Sequence, residues 1–302
     1  MEEIKQHPVF IQNLDKDRSL ANCLNTAYED VSHHLKPLFK QLLPYLSAYA
    51  ASAGLMTLFQ VVSKSGGGLV SVLLLFVFSI LTLVAAFAFT GKVASFANGF
   101  APEKNSLRIA SISIPVVAAY IILAIVGTMA CIFATSAMGP GAMDDQIAQK
   151  FILKISIYLG VFILFMVVTA PPFAYSMTKY VMDSESKFTQ AIGKDWLVGF
   201  RHWGFIFGVT FVVGLVVLVV QLLVGAPFNI AMGAFTLSNI GVEAGDPSGM
   251  PAAYWLIAFL GTFVSVFCAG IFFVWQMFVY CYMYGSIEKR EYERNEAKNL
   301  VH

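Results

Sequence analysis

The chain has 302 residues, 58% of them hydrophobic and 12% charged, with a formal net charge of +1, against roughly 25% charged residues in an ordinary soluble domain. So much apolar surface cannot be hidden in a water-soluble fold of this size, and a near-neutral balance without a basic stripe excludes nucleic acid as a partner. The four cysteines, Cys23, Cys131, Cys268 and Cys281, show neither metal-ligand spacing nor a disulfide framework and read as small apolar packing residues.

Residues 1–17 form a polar segment that opens MEEIKQHPVF. It lacks the basic start, apolar centre and small-residue cleavage site of a secretory signal, so it is expected to stay on the side where it is made. From Leu20 to Leu42, apolar residues including Leu24, Ala27, Val31, Leu35 and Leu38 recur at three- and four-residue steps, with Glu29, Asp30, Lys36 and Lys40 between them. That pattern is one apolar stripe on a helix. Asp17 or Ser19 is placed to cap it, and the helix is predicted to lie in the membrane interface before turning into the bilayer near Pro44.

Six apolar runs follow, at about 43–63, 69–91, 109–136, 151–176, 203–226 and 253–284. Each holds roughly twenty residues of helix, enough for about 30 Å of hydrocarbon, and none alternates polar with apolar as barrel strands do. Gly66, Gly67 and Gly68 between the first two runs read as a tight turn. Between the fourth and fifth, a second amphipathic stretch puts Phe188, Ala191, Ile192, Trp196 and Phe200 on one face and Lys187, Lys194 and Arg201 off it. The predicted fold is all-α: a polytopic helical bundle over 18–285 with two interfacial helices, between the segment 1–17 and a charged tail, 286–302.

Sixteen of the 19 Lys and Arg residues fall in the N-terminal segment, the connections after the second and fourth runs, and the tail, leaving Lys64, Lys150 and Lys154 on the other side. That excess places the first set in the cytoplasm and the connection 227–252, which carries Glu243 and Asp246 but no cation, outside; an even number of spans returns both termini to the cytoplasm. Each amphipathic stretch precedes two spans in the same orientation. Leu24 and Ala27 correspond to Phe188 and Ala191, a weak parallel repeat at an interval of 164 residues.

Candidate chemistry is sparse. His7, His33, His34, His202 and His302 include one adjacent pair, whose side chains diverge by about 100° on a helix, so no oxygenase-type metal cluster is expected. No H-E-x-x-H, Walker A or dinucleotide fingerprint occurs, and no buried His or Asp in a span could activate a serine. The expectation is no catalytic, cofactor or metal residue. Gln276 stands out as an amide inside the last run, and Pro171 with Pro172 is expected to break the fourth. Small residues at four-residue steps mark helix-packing faces: Gly204 and Gly208, Gly261 with Ser265 and Ala269, and Ser47, Ala51 and Ala50, Gly54. Lys92 and Lys154 are placed to snorkel, and Tyr254 and Trp255 at one end of the last run, with Tyr280, Tyr282 and Tyr284 at the other, read as aromatic belts.

An interfacial helix with an apolar-x-x-Ala motif, helical spans, Pro171-Pro172-Phe173, Tyr180 and a second such helix form an order that resembles a broad bacterial group. These are uncharacterised six-span membrane domains, including those fused to certain glycerophosphodiester phosphodiesterases. The likeness runs over most of residues 18–285, and this chain carries no counterpart of the catalytic barrel in those fusions. It implies a stand-alone module of a bacterial inner membrane, with no catalytic residue carried over. The function expected is non-enzymatic: structural, regulatory or lipid-organising, with the lipid bilayer and unidentified membrane proteins as partners. The alternative is a small-solute or lipid transporter built on the repeat, which a cavity reaching Gln276 would favour; a closed bundle with two surface-lying helices would favour the module.

Overall fold

The computed structural model describes residues 9–11, 13–64, 68–136, 145–245 and 253–301, and over these it consists of helices and connections, without strand. Gly66, Gly67, Asp246 and residues 1–8 lie outside the described part, as do the side chains of Lys64, Cys131, Lys150 and Glu243. In chain order the elements are α1 (Leu20–His33), α2 (Leu35–Lys64), α3 (Gly68–Asn98), α4 (Pro102–Ser136), α5 (Asp145–Met182), α6 (Phe188–Gln190), a π-helical turn (Ala191–Asp195), α7 (Trp196–Arg201), α8 (Trp203–Glu243) and α9 (Tyr254–Val301). Six of these, α2 to α5, α8 and α9, are long and apolar enough to cross a membrane. The chain is a multi-pass helical membrane protein.

In hydrocarbon, every backbone N–H and C=O has to find its partner within the segment, so the apolar runs form continuous helices and their hydroxyls bond back to carbonyls, as Ser79 does to Leu75 (2.7 Å) and Thr82 to Phe78 (2.7 Å). One face of α3, with Leu69, Leu73, Phe76, Ile80 and Leu83, is exposed along its length, as a lipid-facing stripe should be. The helices overrun the apolar runs because hydrogen bonding continues into the polar turns beyond them. Part of the connection expected at 227–252 is therefore helical as the end of α8, and the charged tail continues α9 as far as Val301.

The chain packs as two compact units, residues 1–107 with 207–302, and residues 108–206. In the first, α2 lies against α3 and α9 around the buried side chains of Leu46, Phe89, Phe96 and Phe278. Glycines set the approach: a Cβ on Gly54 would meet the Phe259 ring at 2.9 Å and its carbonyl at 3.1 Å, and one on Gly270 would overlap Leu46. The N-terminal segment is anchored on α9. The Leu14 carbonyl occupies the space a side chain at Gly285 would need, and the Asp17 carboxylate accepts from Arg290 Nε at 2.7 Å. Residues 14–17 thus pack on α9 between Gly285 and Arg290.

Ser19, one of the two caps expected, accepts a bond from the Asn22 amide at 3.4 Å. The turn from α1 into the membrane comes at His34 (φ −106°, ψ 15°), whereas Pro44, the expected turning point, lies inside continuous α2. At this C-cap the Asp30 carbonyl accepts both from the His34 amide at 3.1 Å and from its Nδ1 at 2.9 Å, so the imidazole caps the end of α1. Pro44 gives up one hydrogen bond, a loss that membrane helices tolerate.

The second amphipathic stretch is built alike. It ends at His202 (φ −104°, ψ 19°), after which α8 begins. Ala27 and Ala191, the matched alanines, are both fully buried. The two segments share a local form, a short helical stretch, a histidine in the bridge conformation and then a long apolar helix, with the histidines 168 residues apart and the matched alanines 164.

In the second unit the expected break at Pro171 and Pro172 does not occur, and α5 runs through both. Pro172 has no N–H to offer the Val168 carbonyl four residues earlier. That carbonyl accepts instead from Trp203 Nε1 at 3.0 Å, while Trp196 Nε1 reaches the neighbouring Thr169 carbonyl at 3.5 Å. Gly199 permits the docking, since a Cβ there would come within 2.7 Å of the Pro172 carbonyl and 2.8 Å of its Cα. At the end of α5, Arg108 collects the carbonyls of Tyr180 (2.8 Å through Nε), Asp183 (2.7 Å), Ser184 (3.0 Å) and Ser186 (3.0 Å) and stacks on the Tyr180 ring at 4.2 Å. A cation among terminal carbonyls is the favoured arrangement at a helix C-terminus.

Candidate functional site

Three cavities of the first unit take part of their walls from α9. One, at the apolar part of the helix, is a cleft of about 290 Å³ walled by α2, α3, α8 and α9. Gln276 lines it, as expected of the one amide singled out, and so does Ser265; Gln221, Thr90 and Tyr49 add three further polar groups to a wall that is otherwise Phe, Val, Ala and Gly. The Ser265 hydroxyl donates to the Val224 carbonyl at 3.4 Å. Such a wall can hold a small amphiphile or solute through amide and hydroxyl contacts, and offers no charged group among the residues that line it.

The second cavity is a larger groove of about 710 Å³ between α1 and α9, with Val216 of α8 at its edge. Its wall comprises Ala21, Leu24, Tyr28, Val31 and Leu35 on one side and Ile271, Phe272 and Trp275 on the other. The Trp275 indole donates to the Leu24 carbonyl at 3.4 Å, which fixes the two walls to each other. Tyr28 of α1 and Leu35, the first residue of α2, stand well exposed at 64% and 50% on the wall of this groove. Phe272 belongs to both the groove and the Gln276 cleft.

The third cavity is polar, about 390 Å³, and lined by Asn13, Lys16, Asp17, Arg18, Asn22, Thr26, Asp30 and Tyr282. It shares Asn22 with the groove. Arg18 is held by the carbonyls of Asn13 (2.6 Å), Lys16 (3.4 Å) and Leu14 (3.5 Å), and its guanidinium lies 4.5 Å over the Tyr282 ring. Asp30 accepts the Tyr282 hydroxyl. Beneath this pocket Cys23 contacts the Ser286 hydroxyl at 3.8 Å. Burial pushes the Cys23 thiol above its ordinary value, against the Ser286 hydrogen bond and the nearby Arg18 and Arg290 charges, which act in the opposite sense.

The remaining expectations divide. A Cβ on Gly261 would meet the Phe228 ring at 3.0 Å and one on Gly208 would meet Leu20 at 3.0 Å, contacts within the chain, whereas a Cβ on Gly204 would meet nothing within 4 Å. Lys92 does not snorkel: it is buried, donates to Gln41 Oε1 at 3.2 Å and lies 4.9 Å from the Phe96 ring. Tyr254 and Tyr282 are not belt residues, since both are buried, Tyr254 stacked on Phe235 at 5.1 Å. Pro171 and Pro172 belong to the second unit and line none of these three cavities.

Sequence reading misses the polar pocket because its residues are scattered over the N-terminal segment, α1 and α9. It also misses Asp195, which is buried in the π-helical turn 3.4 Å from Lys179. No group of three or more His, Cys, Asp or Glu able to hold a metal occurs among the described residues. Comparison with family models, curated proteins and solved structures gives no match.

Proposed function

We propose that the chain is a non-enzymatic, lipid-organising module of a bacterial inner membrane, with both termini in the cytoplasm. The observation that carries this reading is the groove between α1 and α9, an apolar recess beside an amphipathic helix and next to a polar pocket. An amphipathic helix with an apolar recess along its contact with a neighbouring helix is built to engage the headgroup boundary. Sixteen of 19 basic residues on the side of the termini support the orientation, and the likeness to stand-alone six-span membrane domains supports the setting. Reconstitution of the purified chain into sealed vesicles is the test. The module leaves ion, solute and lipid permeability at the level of empty vesicles and co-purifies with a defined set of lipids; protein-dependent flux would overturn it.

The alternative, a transporter of small solutes or lipids, is favoured by one specific observation, the cleft that reaches Gln276 with Gln221 and Ser265 on the same wall. Binding near mid-membrane between helices of a repeat is the expected geometry of such carriers. If flux is observed, Gln276→Leu is expected to abolish it; flux insensitive to that substitution removes the cleft from the pathway.

A further inference from the structure

The groove and the polar pocket form one amphiphilic site, joined at Asn22. Inside the pocket two of the four charged side chains, Asp17 and Arg18, are already held. Asp17 is paired with Arg290, and Arg18 is held by three backbone carbonyls and the Tyr282 ring. Two charges of opposite sign have neither an ionic partner nor such a cage of carbonyls among the described residues: the Lys16 ammonium and the Asp30 carboxylate, which accepts only the Tyr282 hydroxyl. The pocket therefore asks for a ligand that carries an anion and a cation close together, next to an apolar body.

We propose that one glycerophospholipid with a primary-amine headgroup, of the phosphatidylethanolamine class, occupies this site, its acyl part in the groove between α1 and α9 and its headgroup in the polar pocket at Asn22. Lys16 faces the phosphate and Asp30 the ammonium, each a charge-assisted contact. A quaternary ammonium is best held against open aromatic faces, and the Tyr282 face is already covered by Arg18, so choline is the poorer fit. An anionic headgroup would leave Asp30 unanswered beside a second negative charge. The 710 Å³ of the groove falls within the roughly 300–1,000 Å³ typical of small-molecule sites. The proposal rests on the lipid-organising reading, and deepens it by naming the headgroup.

The test is native mass spectrometry of the full chain, delipidated in detergent and titrated with phosphatidylethanolamine, phosphatidylcholine or phosphatidylglycerol of identical acyl chains. A one-to-one phosphatidylethanolamine adduct is expected, retained roughly fivefold better than the other two, the size of a partly exposed ion pair. Asp30→Asn keeps an acceptor for Tyr282 while removing the charge, and should erase that preference. Ala21→Trp places an indole in the groove from an exposed position on α1, and should remove the adducts of all three lipids while gel filtration and circular dichroism stay unchanged. Equal retention of the three lipids by the unmodified chain would overturn the headgroup assignment, and adducts that survive Ala21→Trp would overturn the site itself. Vesicle flux, measured separately, would sink the module reading while leaving this binding result intact, so the two failures can be told apart.

Discussion

The two amphipathic segments share a design and differ in what they dock on. α1 ends at His34 and the stretch 188–201 ends at His202, with backbone angles within a few degrees of each other, and each buries its matched alanine completely. The stretch 188–201 closes on α5, where Gly199 admits the Pro172 backbone and two indoles satisfy carbonyls next to the prolines. α1 meets α9 only in part, at Cys23, Leu24 and Asp30, and leaves a groove. An amphipathic stripe specifies that a helix will lie against something; the partner surface decides whether it closes or leaves room for a ligand.

The sharpest way to break the closed interface is Gly199→Leu, whose side chain has no space against the Pro172 carbonyl. Overpacking of this kind costs about 3 kcal/mol, and should produce a larger fall in thermal midpoint in detergent than any other single substitution in either segment. If the midpoint is unchanged, the close docking of α7 on α5 is wrong. Trp203→Phe should cost about 1–2 kcal/mol, because the Val168 carbonyl loses its donor. A double-mutant cycle with Pro172→Ala tests the cause, since alanine restores the backbone N–H to Val168; additive effects would show that the indole does not compensate for the proline.

On the α1 side the expected effects are smaller. Gly208→Ala brings a methyl against the flexible end of Leu20 and should cost less than about 1 kcal/mol, with no change in the detergent-solubilised mass. A fall in mass would instead assign the Gly208 face to contact between copies of the chain. The least effect is expected for Cys23. Its thiol is raised by burial, so the stability it contributes is complete below the ordinary thiol value of 9.0 and declines only as pH rises beyond that. Maleimide labelling of native protein should therefore leave Cys23 unmodified from pH 7 to 9; rapid labelling in that window would mean that the contact with Ser286 opens readily.

The same contrast marks how far the sequence can be read. Helical class, the six long helices and both amphipathic stretches follow from apolar periodicity and from the scarcity of charge, quantities set by the solvent rather than by any one neighbour. Gln276 and Ser265 stand out in the sequence as intramembrane polar residues and share a cleft in the structure. Pro44 and Pro172 mislead because proline states only that a hydrogen bond is missing. Trp203, 31 residues beyond Pro172 in the chain, supplies one, and no local pattern announces it. Lys92 and Tyr282 mislead for the same reason, since Gln41 and Arg18 are partners that only the packed structure brings near. The polar pocket is illegible in the sequence because Lys16, Asn22, Asp30 and Tyr282 become neighbours only when α9 is in place.

That last dependence bears on biosynthesis. Asp17 and Arg290 are 273 positions apart, and at a ribosomal rate of roughly 5–20 residues per second the partner of the N-terminal segment emerges about 15–55 seconds after it. Through that interval α1 has the membrane surface and no α9 to rest on. The first helix made is among the last to be locked, and the nascent chain carries its amphipathic face unpaired until the final span is threaded.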